Sequence, residues 1–79
     1  MIIEWRNHLT RDPKVCGGEL CAKGTRVMIN VILDNLADGL SHEEILKSYP
    51  SLEPVHIQAA LAYAAELARE ESILPLMPK

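Results

Sequence analysis

From Ile32 onward the apolar residues return at helical spacing, and local stop and start signals cut that pattern into three helices. Ile32, Leu33, Leu36 and Leu40 form one face, with Asp34, Asn35 and Asp38 opposite. Asn30 is the expected N-cap of this first helix and Gly39 its left-handed terminator. Ser41 and Glu44 have capping-box spacing for a second helix, and Leu40 and Ile45 stand where a hydrophobic staple forms. Pro50 ends that helix because it has no N–H to continue the ladder. Pro54 suits the first position of a third helix, with Leu52 and Ile57 again at staple spacing. Ile57, Ala60, Leu61, Ala64, Leu67 and Ala68 make its expected inner stripe, while Ala59, Ala62 and Ala65 thin its other side. Residues 41–63 therefore have the layout of a helix-turn-helix.

Before about Ile29 there is no helical period. Asp12-Pro13, Gly17-Gly18 and Gly24 are turn signals. Leu20–Ala22 and Thr25–Met28 read as strands around a Lys23-Gly24 turn, a β-hairpin, with a further short strand near His8–Thr10. The expected architecture is mainly α: a three-helix domain behind a short N-terminal β-hairpin. Residues 1–29 form its turn-rich part, 30–71 its helical part and 72–79 an apolar tail broken by Pro75 and Pro78.

Seventy-nine residues hold one domain with a thin core, yet the hydrophobic fraction is 48%. Some apolar surface is therefore expected to be covered by another chain, and a homodimer is the first expectation. Met1–Arg6 carries an acid where a basic leader belongs, and no run approaches a membrane span, which together predict a cytoplasmic protein. Cys16 and Cys21 read as free thiols.

The net charge of −3 hides a division. Residues 1–30 hold five basic and three acidic residues, a balance of +2, and residues 31–79 hold three and eight, a balance of −5. The third helix begins with Glu53, Pro54, Val55 and His56, and no lysine or arginine lies between Lys47 and Arg69. A DNA-reading helix needs donors at that end, so His56 is its one candidate contact. Arg11, Lys14, Lys23 and Arg26, set among glycine turns, are the stronger DNA-contacting candidates; the alternative is an ordinary solvated surface, with Arg26 paired to Asp34 or Asp12. In the tail, Ile73, Leu74, Leu76 and Met77 are candidates for docking in a partner's groove, and Arg69 for an ionic contact beside them. The alternative is a tail folded over its own helices or a dimer mate.

Gly17–Thr25 has no P-loop register, because Lys23 precedes Gly24 instead of following it. Cys16 and Cys21 with His8, His42 and His56 lack zinc-site spacing. Glu43, Glu44, Glu66, Glu70 and Glu71 read as a solvated face. The sequence gives no reason to expect a catalytic residue, a metal or a cofactor.

Asp12-Pro13, Gly17-Gly18 and Gly24-Thr25-Arg26-Val27, followed by Tyr49-Pro50 and Ala59–Tyr63, together resemble a small prokaryotic family, domain of unknown function 433. The resemblance spans roughly residues 8–66. Leu20 stands where members commonly have proline, which bears on the path of the strand entering the hairpin. The resemblance implies a homeodomain-like three-helix core. For many members it also implies a non-enzymatic antitoxin of a type II toxin–antitoxin pair, whose usual partner is a PIN-type ribonuclease. Such an antitoxin binds and inhibits the toxin and represses the operon through its DNA. A stand-alone transcriptional regulator and an interaction module that never meets DNA are the alternatives.

Overall fold

The structure, a computed structural model, describes residues 3–71. A 3-10 turn at Trp5–Asn7 leads into strands β1 (Leu9–Asp12) and β2 (Val15–Ala22), then helices α1 (Ile29–Ala37), α2 (His42–Ser48) and α3 (Pro54–Glu71). The chain is thus mostly helical, with a two-stranded antiparallel hairpin in front. No helix among the described residues is long and apolar enough to cross a membrane.

The hairpin is displaced from its expected position. Its turn is Asp12–Val15, where Pro13 presets one dihedral and Asp12 Oδ1 accepts the Lys14 N–H at 2.9 Å. The strand expected near His8–Thr10 is the true partner of β2, pairing Leu9 with Ala22 and Thr10 with Cys21. The Lys23-Gly24 turn does exist: the Thr25 N–H reaches Ala22 O at 3.0 Å, with Gly24 at φ +84°. Beyond it, Thr25–Met28 makes one isolated bridge, Cys21 to Met28, instead of a strand. Both turn signals are real, but the Asx turn at Asp12 carries the ladder.

The pairing also skips. Arg11 faces Leu20 while Asp12 faces Val15, so residues 16–19 bulge out of β2. Three consecutive positive φ values make this possible: Cys16 at +54°, Gly17 at +61° and Gly18 at +87°.

Local signals set the helix ends with one exception. α1 is capped by Met28, not Asn30; Asn30 lies inside the first turn and is exposed, and Met28 provides no side-chain cap. At the other end Gly39 adopts φ +91°, its N–H bonds Leu36 O, and the Leu40 N–H bonds Asn35 O, a Schellman termination. α2 has its full capping box: the Glu44 N–H reaches Ser41 Oγ at 3.1 Å and the Ser41 N–H reaches Glu44 Oε1 at 2.8 Å. α3 starts at Pro54, as expected, and His56 occupies the third helical position.

The core gathers one side of every element. Leu9 and Ala22 come from the hairpin, Ile29 and Ile32 from α1, Ile45 from α2, Leu52 from the α2–α3 turn, and Ile57, Ala59 and Ala60 from α3. Both staple pairs meet there, since Leu40 packs against the cluster that holds Ile45, and Leu52 and Ile57 are both buried in it. The inner stripe expected on α3 is only half right. Ile57 and Ala60 are fully buried, but Leu61 is 41% exposed and Leu67 40%. Periodicity marks a helix face; it does not mark where the body beneath that face ends.

Candidate interaction surfaces

Two surfaces collect the side chains with something to offer a partner. The first surrounds the Lys23-Gly24 turn. The Lys23 N–H binds His8 O at 2.9 Å and the Thr25 hydroxyl donates to Ala22 O at 2.8 Å while accepting the Val27 N–H at 3.0 Å. The turn is therefore fixed on the hairpin, and it holds Lys23 and Arg26 outward, both exposed. Arg26 edges an open cleft of about 590 Å³ with Thr10, Asp12, Thr25 and Ser51. An adjoining hollow that shares Gly24, Thr25 and Ser51 runs past Lys23 toward His8 and His56. Among the described residues the ion pairs are Arg6–Glu4 and Arg6–Glu66, so the Arg26 pairing with Asp34 or Asp12 considered above is absent.

The other DNA-contacting candidates lie apart. Lys14 is exposed at the hairpin tip, and Arg11 reaches back to the bulge, donating to Gly18 O at 3.3 Å. His56 is only 8% exposed, and its Nδ1 accepts the Glu53 N–H at 3.0 Å. It thus does for α3 what Glu44 does for α2, satisfying a free amide at the helix start, and its imidazole faces inward. At the start of α3 that leaves Glu53 and Pro54 exposed.

The second surface is the distal half of α3. Past Tyr63, which still packs against the core, the helix is held on one side by the 3-10 turn. The Trp5 and Tyr63 rings meet edge to face, centroids 5.0 Å apart. The Trp5 indole N–H donates to Glu66 Oε1 at 2.7 Å, and the Arg6 guanidinium bonds Glu66 Oε2 at 3.1 Å and lies 4.3 Å above the indole. The indole bond, followed by Arg6, holds the Glu66 carboxyl below its ordinary value. Glu4 first, then Glu66, raise the Arg6 guanidinium. Leu61 and Leu67 are each about two-fifths exposed on this half of the helix, and Ala68 between their two directions is exposed as well. Arg69 is exposed on the Trp5 side, sharing a shallow groove with Ala62, Ala65 and Glu66. Ile73, Leu74, Leu76 and Met77 lie outside the described residues.

The Trp5 clasp is barely visible in the sequence. Its one sequence signal is a single tryptophan beside a basic residue, with Tyr63 and Glu66 three apart on one helix. Nothing local joins positions so distant.

The fold and these surfaces can be set beside known proteins. The sequence profile of the family described as "Protein of unknown function (DUF433)" matches residues 9–64. The chain belongs to the DUF433 family. A crystal structure of a DUF433 member protein from Anabaena variabilis superposes with a TM-score of 0.70 at 25% identity, over 85% of this chain and 66% of that one. The uncharacterized protein y4eO of Sinorhizobium fredii (strain NGR234) is 36% identical over 59 residues. Those residues are 75% of this chain and 27% of that protein, so the chain spans about a quarter of its relative's length. The DUF433 match covers the hairpin, α1, α2 and α3 as far as Ala64. Trp5, Arg6, Glu66, Leu67 and Arg69 fall outside it.

Proposed function

We propose that this chain is a non-enzymatic antitoxin of a type II toxin–antitoxin pair. It binds and inhibits a PIN-type ribonuclease, and it represses their shared operon by binding operator DNA. The observation that carries the first half is the distal part of α3, a helix with two leucines each about two-fifths exposed and small alanines between them. Such a face suits the groove of another protein. It straddles the end of the stretch matched by the family profile, with Leu61 inside and Leu67 beyond. In this reading the apolar residues that follow in sequence, Ile73, Leu74, Leu76 and Met77, also bind the toxin. Inhibition then requires occlusion alone. A guanidinium such as that of Arg26 or Arg69, laid against the acidic metal ligands of the ribonuclease, supplies the charge complement.

The DNA half rests on Lys23 and Arg26, held outward by the hydrogen-bonded turn. In this reading the three helices are a homeodomain-like support, and the hairpin side does the contacting. A homodimer doubles the basic turns and presents them to two half-sites.

Co-expression with the adjacent open reading frame tests the first half. The expected result is a co-purifying complex and relief of growth arrest, both lost in a Leu61→Asp/Leu67→Asp variant that keeps its helical circular dichroism. A wild-type chain that neither co-purifies nor relieves arrest refutes the antitoxin reading. Gel shifts on upstream DNA across a salt series test the second half. Several phosphate contacts give a steep salt slope, and no shift at low salt removes DNA from the proposal.

A further inference from the structure

The bulge in β2 does more than kink a strand. Arg11 and Asp12 are sequence neighbours, yet their partners are Leu20 and Val15. Consecutive Cα atoms are about 3.8 Å apart, so the ladder brings Val15 and Leu20 side by side and loops out the four residues between them. Cys16 is the first residue of that loop and Cys21 the first beyond Leu20, which places the two cysteines at its closed end.

Their sulfurs face one strip of backbone. The Cys16 thiol donates to Arg26 O at 3.1 Å and the Cys21 thiol to Thr25 O at 3.8 Å, two successive carbonyls. The two carbonyls belong to neighbouring residues, so both sulfurs lie along one short stretch of backbone. Burial is the main cause that pushes the Cys21 thiol up to about 11, and the neighbouring Cys16 is the next. Their exposure differs: Cys21 is fully buried and Cys16 partly open. Cys16 also holds a left-handed backbone at φ +54° that a residue with a Cβ rarely adopts. Two thiols at the closed end of one bulge, bonded to successive carbonyls, one reachable and one sheltered, have the arrangement of an attacking and a resolving cysteine.

We propose that Cys16 and Cys21 form a dithiol site for small-molecule disulfides of the glutathione class, which convert the pair into an intramolecular Cys16–Cys21 disulfide and thereby release the Thr25–Arg26 segment. The Cys16 thiolate attacks one sulfur of the small disulfide. That S–S bond breaks, and the first small thiolate leaves with the electron pair and takes up a proton. Cys21 then gives up its proton and attacks Cys16 Sγ in the mixed disulfide, and the second small thiolate leaves and is protonated. Two protein thiols are oxidised, and one small disulfide is reduced to two small thiols. Cys16 attacks first because it is partly open, while Cys21 is sheltered and protonated at neutral pH. The product has no S–H to donate to the carbonyls of residues 25 and 26. The turn carrying Arg26 loses both sulfur anchors, and its remaining Thr25 bonds open more often.

The site is independent of what the chain binds, so the purified full chain tests it. Reduced protein at micromolar concentration is incubated with oxidised glutathione, quenched, alkylated and weighed intact. The expected product has lost two hydrogens, resists alkylation and maps to a peptide joining Cys16 to Cys21. Cys16→Ser is expected to stay unmodified, and Cys21→Ala to stop as a single glutathione adduct. Amide exchange at Ala22 and Val27, whose bonds flank the turn, is expected to rise severalfold on oxidation. A wild-type chain that collects two glutathiones, cross-links to a second chain, or stays reduced overturns the dithiol site. A ring that forms with exchange unchanged at both amides overturns the release of the segment. The wild-type result decides the first question even where Cys21→Ala fails to fold.

Discussion

Replacing Trp5 with alanine tests whether the 3-10 turn holds the distal half of α3. Truncating a fully buried Trp or Phe to alanine costs about 3–5 kcal/mol. Trp5 is partly buried, so about half of that, ~2 kcal/mol, is the expected loss. The edge-to-face contact with Tyr63 accounts for about 0.5–1.5 kcal/mol of it. At roughly 0.05–0.15 kcal/mol per residue, a chain of this length has about 4–12 kcal/mol in total. The variant therefore stays folded but melts early. With about 4–8 °C per kcal/mol for a domain of this size, Tm falls by about 8–16 °C. Circular dichroism at 222 nm is the assay, because the variant has lost the only tryptophan. Leu67→Ala is the control, on the same helix but 40% exposed, and is expected to stay within about 0.5 kcal/mol of the parent. A Trp5→Ala variant as stable as the parent, or a Leu67→Ala variant as damaged as Trp5→Ala, refutes the clasp.

The clasp also predicts a pH response. The Glu66 carboxyl sits lower in the folded chain than in the unfolded one, so its contribution is present above the ordinary carboxylate value and is lost as pH falls through the folded value. Acid titration of indole fluorescence should show the Trp5 corner changing below the ordinary carboxylate range, and Glu66→Gln should flatten that change. Ser41→Ala removes half of the capping box on a seven-residue helix and should cost about 0.5–2 kcal/mol, read by chemical denaturation. Gly39→Ala forces a Cβ into φ +91°, in otherwise open space, and should cost about 1 kcal/mol by the same measurement. In gel shifts, Lys23→Glu/Arg26→Glu should weaken DNA binding more than His56→Ala does. The opposite ranking, in a His56→Ala variant whose Tm is unchanged, would make α3 the reader.

How much of this was legible follows from the range of each interaction. The Ser41–Glu44 box, the Gly39 termination, the Pro54 start and both staples involve residues at most six apart, and all were readable. Asn30 misleads because asparagine favours N-caps; the helix starts two residues earlier than an Asn30 cap places it, where Ile29 enters the core with Met28 as an apolar cap. The hairpin was misplaced because two genuine turns compete, and the choice between them depends on a register that skips residues 16–19. His56 looked like an exposed reader, since residue type alone does not tell that its Nδ1 is spent on Glu53. The Leu61 and Leu67 positions followed the helical period correctly, yet the body they were expected to cover ends a turn earlier.

Sixty-one positions separate Trp5 from Glu66. As the chain is synthesised, the hairpin can zip and α1 and α2 can settle while the indole still has no oxygen to bond and no phenol ring to meet. The Trp5 corner therefore closes only once α3 has been made. A ribosome stalled before Tyr63 would carry an open-cornered intermediate with a naked indole, recognisable by any factor that surveys unfinished chains.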